Sequence, residues 1–232
     1  MIKAILMDFN GVIIDDEAIQ MRSYQAVLKE RGVELTEEEY YDSLGMDDRT
    51  FVRAAFDRVA KAVSDEECDE IIAAKTSAWR REVDGKLPLF EGIEDFIEKM
   101  SRAFTLGIVS MANPSEIEYV LERAGLKHFF STIVTSADVT KCKPDPEGYD
   151  LGFRRIDAVR TDAGHLPMTR EECVVIEDSP PGVAAAVKAD LQALGVTNTV
   201  AAEKMRAAGA RATAKDLRDW FPESIRLVFS TE

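Results

Sequence analysis

Four short segments of this chain carry residue types that can do chemistry on an anion. Asp8-Phe9-Asn10-Gly11-Val12 follows the first apolar run, and Ser110-Met111 follows the second. Lys141-Cys142-Lys143-Pro144-Asp145-Pro146 precedes a later run, and Glu177-Asp178-Ser179-Pro180-Pro181-Gly182 follows it. An aspartate can attack phosphorus and form an acyl phosphate, which splits one hard displacement into two. Phosphoryl transfer needs an in-line nucleophile and positive charge dispersed around the phosphoryl oxygens. A dianionic phosphate does not approach a carboxylate unaided, so a hard cation with oxygen ligands, Mg²⁺, is expected between them. A lysine and a hydroxyl would hold the remaining oxygens.

The elements that must position these residues are legible from hydropathy. Ile2–Met7, Phe104–Val109, Thr132–Thr135, Cys173–Ile176 and about Leu191–Val196 are short apolar runs, the pattern of strands buried on both faces. Between them Ile93, Phe96, Ile97 and Met100 fall at i, i+3, i+4, i+7, as do Ile117, Val120, Leu121 and Ala124 before Gly125. Strands alternating with helices indicate an α/β, doubly wound parallel-sheet (Rossmann-like) core. In such a sheet ligands bind beyond the carboxyl ends of the strands, where the four segments fall. From 15 to 85 there are helix signals and no strand. Thr36-Glu37-Glu38-Glu39 and Ser64-Asp65-Glu66-Glu67 are capping boxes, and Val52, Phe56, Val59 and Val63 mark an apolar face between them. The expected division is therefore an α/β core of residues 1–14 and 86–232 with an inserted helical cap, 15–85.

Composition narrows the partners. The chain has 232 residues, 46 % of them hydrophobic, enough for one core and a small insert. A formal charge of -14 argues against nucleic acid and against anionic lipid. Cys68, Cys142 and Cys173 are dispersed, with no CxxC, as reduced cytosolic cysteines would be. His128 and His165 lack metal-like spacing, and no apolar run reaches the ~20 residues of a membrane span. The expectation is a cytoplasmic protein, monomer or weak homodimer, acting on a small phosphorylated molecule.

The ordered set DFNGV, IVS, KPDPEGY and VVIEDSPPG resembles the four motifs of the haloacid dehalogenase-like superfamily, more narrowly its β-phosphoglucomutase-like phosphatase branch. The resemblance spans nearly the whole chain and implies a Mg²⁺-dependent phosphatase working through an aspartyl phosphate. It implies Asp8 as nucleophile, Ser110 as the phosphate-binding hydroxyl beside Met111, and Lys143 as the neutralising lysine. Metal ligands would be Asp8, the Asn10 carbonyl and Asp178, with Glu177 either a further ligand or the residue that orients the lysine. Leu44-Gly45-Met46-Asp47-Asp48-Arg49 resembles the cap loop that reaches the site. There Arg49 would either grip a distal anion of the substrate or pair with Asp47 or Asp48.

One departure bears on mechanism. The branch usually carries aspartate, not Asn10, two residues after the nucleophile, where it serves as general acid and base. An amide cannot exchange that proton, and general acid–base catalysis is worth about 10²–10⁴-fold. Asn10 therefore implies slow turnover, a good leaving group, or a substitute acid such as Asp16 or Glu17, although Asp15 and Asp16 also suit a hinge and a helix cap. A rival reading is a phospholigand-binding or regulatory protein that no longer turns over. Mutase and dehalogenase readings fit less well. Gln20 stands where the mutases place a histidine, the acidic pair is foreign to the dehalogenases, and none of Lys29, Lys61 and Lys75 is singled out as an imine-forming base.

Overall fold

The computed structural model describes residues 1–230. The chain runs β1 (Ala4–Met7), α1 (Glu17–Lys29), α2 (Glu37–Tyr41), α3 (Asp48–Arg58), α4 (Asp65–Val83), α5 (Ile93–Ser101) and β2 (Thr105–Val109). It continues through α6 (Pro114–Arg123), β3 (Phe130–Val134), α7 (Glu147–Asp162), β4 (Cys173–Glu177), α8 (Pro180–Lys188), β5 (Gln192–Val196), α9 (Ala202–Ala207), β6 (Ala212–Ala214) and α10 (Pro222–Phe229). The strands pair in parallel in the order β3-β2-β1-β4-β5-β6. Strand order reverses at β1, so the crevice beyond β1 and β4 is the topological switch point.

Alternate residues of each central strand enter different cores. Ile5, Met7, Val174, Ile176, Leu194 and Val196 pack in one apolar cluster, and Ala4, Leu6, Cys173, Val175 and Ala193 in the other. Both faces are covered by helices, which is why the strands read as unbroken apolar runs. The expected amphipathic helices are α5 and α6, with Gly125 in the left-handed conformation that ends the latter. Strand β6 carried no sequence signal: Ala-Thr-Ala at a sheet edge is too short and too weakly apolar to show a pattern.

Helices α1–α4 occupy the interval expected for the insert, and both capping boxes are formed, Thr36 with Glu39 and Ser64 with Glu67. They share a separate apolar cluster built on Tyr24, Leu28, Val52, Phe56 and Ile71. Two details differ from expectation. Val59 is exposed, because α3 stops at Arg58 and Ala60 turns left-handed. Trp79 and Val83, at the end of α4, pack in the larger cluster of the α/β core. The insert is thus anchored through its last helix. Trp79 Nε1 also donates to Asp16 Oδ2 at 2.7 Å.

Removing a buried donor to a carboxylate costs more than losing a surface ion pair. Trp79→Phe should lower the unfolding free energy by about 1.5–3 kcal/mol. Arg102→Ala, which breaks the exposed Arg102–Glu98 pair, should stay within about 0.5 kcal/mol. Urea unfolding of the two variants measures both; equal losses would show that the Trp79–Asp16 contact does not anchor the insert.

Candidate active site

Registry brings the acidic residues together. Met7 pairs with Ile108 on one side and Ile176 on the other, so Asp8, Ser110 and Glu177-Asp178 leave the sheet at the same edge. Gly11 then turns the chain at φ +70, and a Cβ there would overlap the Asp178 carboxylate. On the insert side Gly45, at φ +89, lets its loop lie against Lys143 and Pro181; a Cβ would stand 3.0 Å from the Pro181 Cβ. The cleft is lined by residues of α1–α4 and of the sheet edge.

Lys143 sits at the base of the cleft, 6 % exposed. Its Nζ is 2.6 Å from Glu177 Oε1 and 3.0 Å from Asp8 Oδ1. Glu177 is fully engaged. Oε1 also accepts from Tyr149 Oη at 2.8 Å, and Oε2 accepts from the Asp178 and Ser179 N–H groups and the Ser179 hydroxyl. With both oxygens accepting from protein donors, Glu177 holds Lys143 in place. Ser179 caps α8 by accepting from Gly182 N, so neither Glu177 nor Asp178 is used as that cap.

Asp8, Glu177 and Asp178 bring oxygens within 4.8 Å of one another. Burial pushes the Asp8 carboxyl up to about 6 against the pull of Lys143, with Glu177 adding to the rise. Asp178 is driven well above the usual carboxylate range by burial and by Glu177, Asp8 and Glu17. The same surroundings lift Lys143: burial opposes its charge, but Asp8 and Glu177 more than compensate. One ammonium cannot balance these carboxylates. Such a donor set fits a hard divalent cation.

Ser110 and Met111 line the cleft, and Ser110 Oγ accepts from Ala112 N at 3.1 Å while keeping its own proton free to donate. Asn10 lines it too, with Nδ2 donating to Asp16 Oδ1 at 2.9 Å and Oδ2 at 3.1 Å. Leu44, Gly45, Met46 and Asp48 reach the cleft as expected of the insert loop. Arg49 does not. The helical turn after Asp47 points it outward to Asp65 and Asp69 on α4, neither of the partnerships expected for it. His128 and His165 are exposed, away from the cleft.

Several lining or supporting residues had no sequence signal. Thr199 donates to Asp178 Oδ2, and Asn198 Nδ2 holds the Gly11 carbonyl at 2.8 Å. Both lie in the loop after β5, which no motif marks. Lys75, one of three unremarkable lysines, is 2 % exposed and bridges Asp48 on α3 to Glu116 on α6, 3.0 Å from each. Asp16 occupies the expected N-cap position but makes no capping bond; its carboxylate accepts from Asn10, Gln20 and Trp79. Burial raises it to about 6, and burial with Asp16 raises Glu17, which faces the cleft, to about 7.

The chain resembles known proteins over most of its length. The haloacid dehalogenase-like hydrolase family profile matches residues 5–196. The validoxylamine A 7'-phosphate phosphatase of Streptomyces hygroscopicus is 27 % identical over 227 residues, 94 % of this chain and 96 % of that protein. The pyrophosphatase PpaX of Oceanobacillus iheyensis is 29 % identical over 158 residues, 68 % of this chain and 70 % of its own. Among solved structures, the β-phosphoglucomutase of Clostridium difficile superposes with a TM-score of 0.84 over 99 % of this chain and 97 % of its own, at 19 % identity, which speaks to fold alone. With the profile covering most of the sequence and the sheet placing its acidic residues at one edge, the chain belongs to the haloacid dehalogenase-like hydrolases.

Proposed function

We propose that the protein is a Mg²⁺-dependent phosphatase that hydrolyses a small organic phosphate through an aspartyl phosphate on Asp8. The observation that carries this is the buried Asp8–Lys143–Glu177 triad with Asp178 beside it, their carboxylate oxygens gathered at one point. The phosphatase names of its relatives support the reading. Asp8, Asp178 and the Asn10 carbonyl would hold the cation. Bound there, Mg²⁺ neutralises phosphoryl charge and lets an anionic substrate approach a carboxylate.

The protein's own residues supply the rest. Asp8 attacks phosphorus, Lys143 balances the phosphoryl oxygens, and Ser110 donates to one of them. Asn10 cannot hand a proton to the leaving oxygen. Asp16 is a poor substitute, since four donor contacts from Asn10, Gln20 and Trp79 already occupy its lone pairs. Glu17 faces the cleft, and burial and Asp16 push its carboxyl up to about 7, so we assign it the proton. The division into core and cap, the cytoplasmic location and a monomeric or weakly dimeric state belong to the same proposal; among the described residues no helix is long and apolar enough to cross a membrane.

Three outcomes follow. Incubation with acetyl phosphate and Mg²⁺ should add one phosphoryl group at Asp8, found by peptide mass spectrometry; an adduct elsewhere, or full activity in Asp8→Ala, refutes the nucleophile. Glu17→Gln should slow alkyl phosphates by about 10²-fold and aryl phosphates much less, because a phenolate leaves without a proton. Asn10→Asp should speed alkyl phosphates by about 10²–10⁴-fold, and an unchanged alkyl-to-aryl ratio in both variants would remove these two positions from proton transfer.

A fourth outcome concerns stability. Asp8 and Asp178 have folded pKa values above their unfolded ones, so the folded state holds more protons and loses stability as pH rises through about 6. A cation bound to the ionised carboxylates offsets that loss. Mg²⁺ should therefore raise the melting temperature more at pH 8 than at pH 5, and Asp178→Ala should abolish the difference. A rise independent of pH would count against carboxylate ligation.

A further inference from the structure

The loop after β5 carries three polar residues in a row, Thr197-Asn198-Thr199, and each is committed to a different element. Thr197 N donates to Ala214 O at 2.9 Å and so roots the loop on the edge strand β6. Asn198 Nδ2 donates to the Gly11 carbonyl at 2.8 Å. Thr199 Oγ1 donates to Asp178 Oδ2. The last two bonds span 187 and 21 positions of sequence, and they end on the two turns that carry Asn10 and Asp178.

These turns meet at one point. A Cβ on Gly11 would stand 1.9 Å from Asp178 Oδ2 and 2.9 Å from Thr199 Oγ1. The Gly11 backbone, the Asp178 carboxylate and the Thr199 hydroxyl therefore pack against one another. A carboxylate that holds a metal must keep one oxygen aimed at it, and a hydrogen bond to the other oxygen fixes that aim. Thr199 supplies such a bond at Oδ2, while Asp178 still lines the cleft. Asn198 does the corresponding work on the backbone. By holding the Gly11 carbonyl it restrains the turn that immediately follows the Asn10 carbonyl.

We infer that Asn198 and Thr199 are the positioning residues of the divalent-cation site, Thr199 through Asp178 and Asn198 through the turn after Asn10. Neither is itself a ligand. Thr197 ties the pair to β6, so the edge strand sets where the cation's ligands stand. The inference rests on the cation site proposed above and adds the segment that orients its ligands.

Calorimetric titration of the metal-free protein with Mg²⁺ alone tests it. Thr199→Val keeps the side chain's shape and removes its hydroxyl, so Mg²⁺ should bind about 10–100-fold more weakly. Thr199→Ser restores the donor and should recover most of that loss. Asn198→Ala removes an exposed side chain on which no core depends, and should weaken Mg²⁺ about tenfold, independently of whether Thr199→Val folds. Thr197→Val deletes a hydroxyl of the same loop that faces Ala214 O instead, and should leave the affinity unchanged. Unaltered affinity in Thr199→Val or Asn198→Ala overturns the inference. So does an equal loss in Thr197→Val, which would mark a general loosening of the loop, or a Thr199→Ser protein that recovers nothing. If the unsubstituted protein binds no Mg²⁺, the proposed cation site itself is refuted, and this inference falls with it.

Discussion

Everything at the sheet edge depends on one buried ammonium held among carboxylates. Lys143 lies within 3.0 Å of both Asp8 and Glu177. A buried pair of this kind contributes little net stability, yet removing one partner strands a charge and costs several kcal/mol. The surroundings hold Glu177 still: Tyr149, Ser179 and two backbone N–H groups all donate to it. Gly182 leaves the space that the carboxylate fills, since a Cβ there would overlap it. The lysine is thereby aimed at Asp8, while Asp8 and Asp178 keep capacity for a cation and a phosphoryl group.

A second buried ammonium does the corresponding work between insert and core. Lys75 on α4 joins Asp48 of the insert to Glu116 of the core, and Thr76 Oγ1 donates to the same Glu116 oxygen at 2.7 Å. Burial works against the charge on Lys75, but Asp48 and Glu116 outweigh it and raise its pKa. Together with Trp79 in the core cluster, this pair fixes where the insert stands over Asp8. Separating the two would expose an apolar anchor and break a buried ion pair, so the cleft wall is as firmly specified as its base.

The sequence made legible whatever repeats with a period or sits at a strand end. Burial of Ile5 and Leu6 on opposite faces of the sheet, the capping boxes at Thr36 and Ser64, and the placement of Asp8, Ser110 and Glu177-Asp178 all follow from local pattern and from the rule that ligands lie beyond strand carboxyl ends. What escaped depends on long-range contact. Lys75 and Glu116 are 41 positions apart, and nothing near either distinguishes it from a solvated charge. Thr199 reaches Asp178 from a loop whose course is set by β5 and β6. Arg49 was ambiguous for the same reason: helix phase decides its direction, and the acids that capture it lie 16 and 20 residues further on.

Asn10 reads differently once its neighbours are in place. Taken alone it is a single departure from a motif. In the fold it is one end of a chain in which amides alternate with acids: Asn10 donates to Asp16, Gln20 donates to Asp16 and Glu116, and Lys75 closes the far end on Glu116. Each carboxylate accepts from several donors and each amide N–H group points at a carboxylate, although Gln20 Oε1 is left without a partner. Replacing either amide by an acid would set two carboxyl groups about 3 Å apart, where they cannot both be ionised and must share a proton. The asparagine at 10 and the glutamine at 20 are thus coupled through Asp16. Position 10 offers no carboxyl beside Asp8, and Glu17 is a cleft-facing carboxyl outside the matched set.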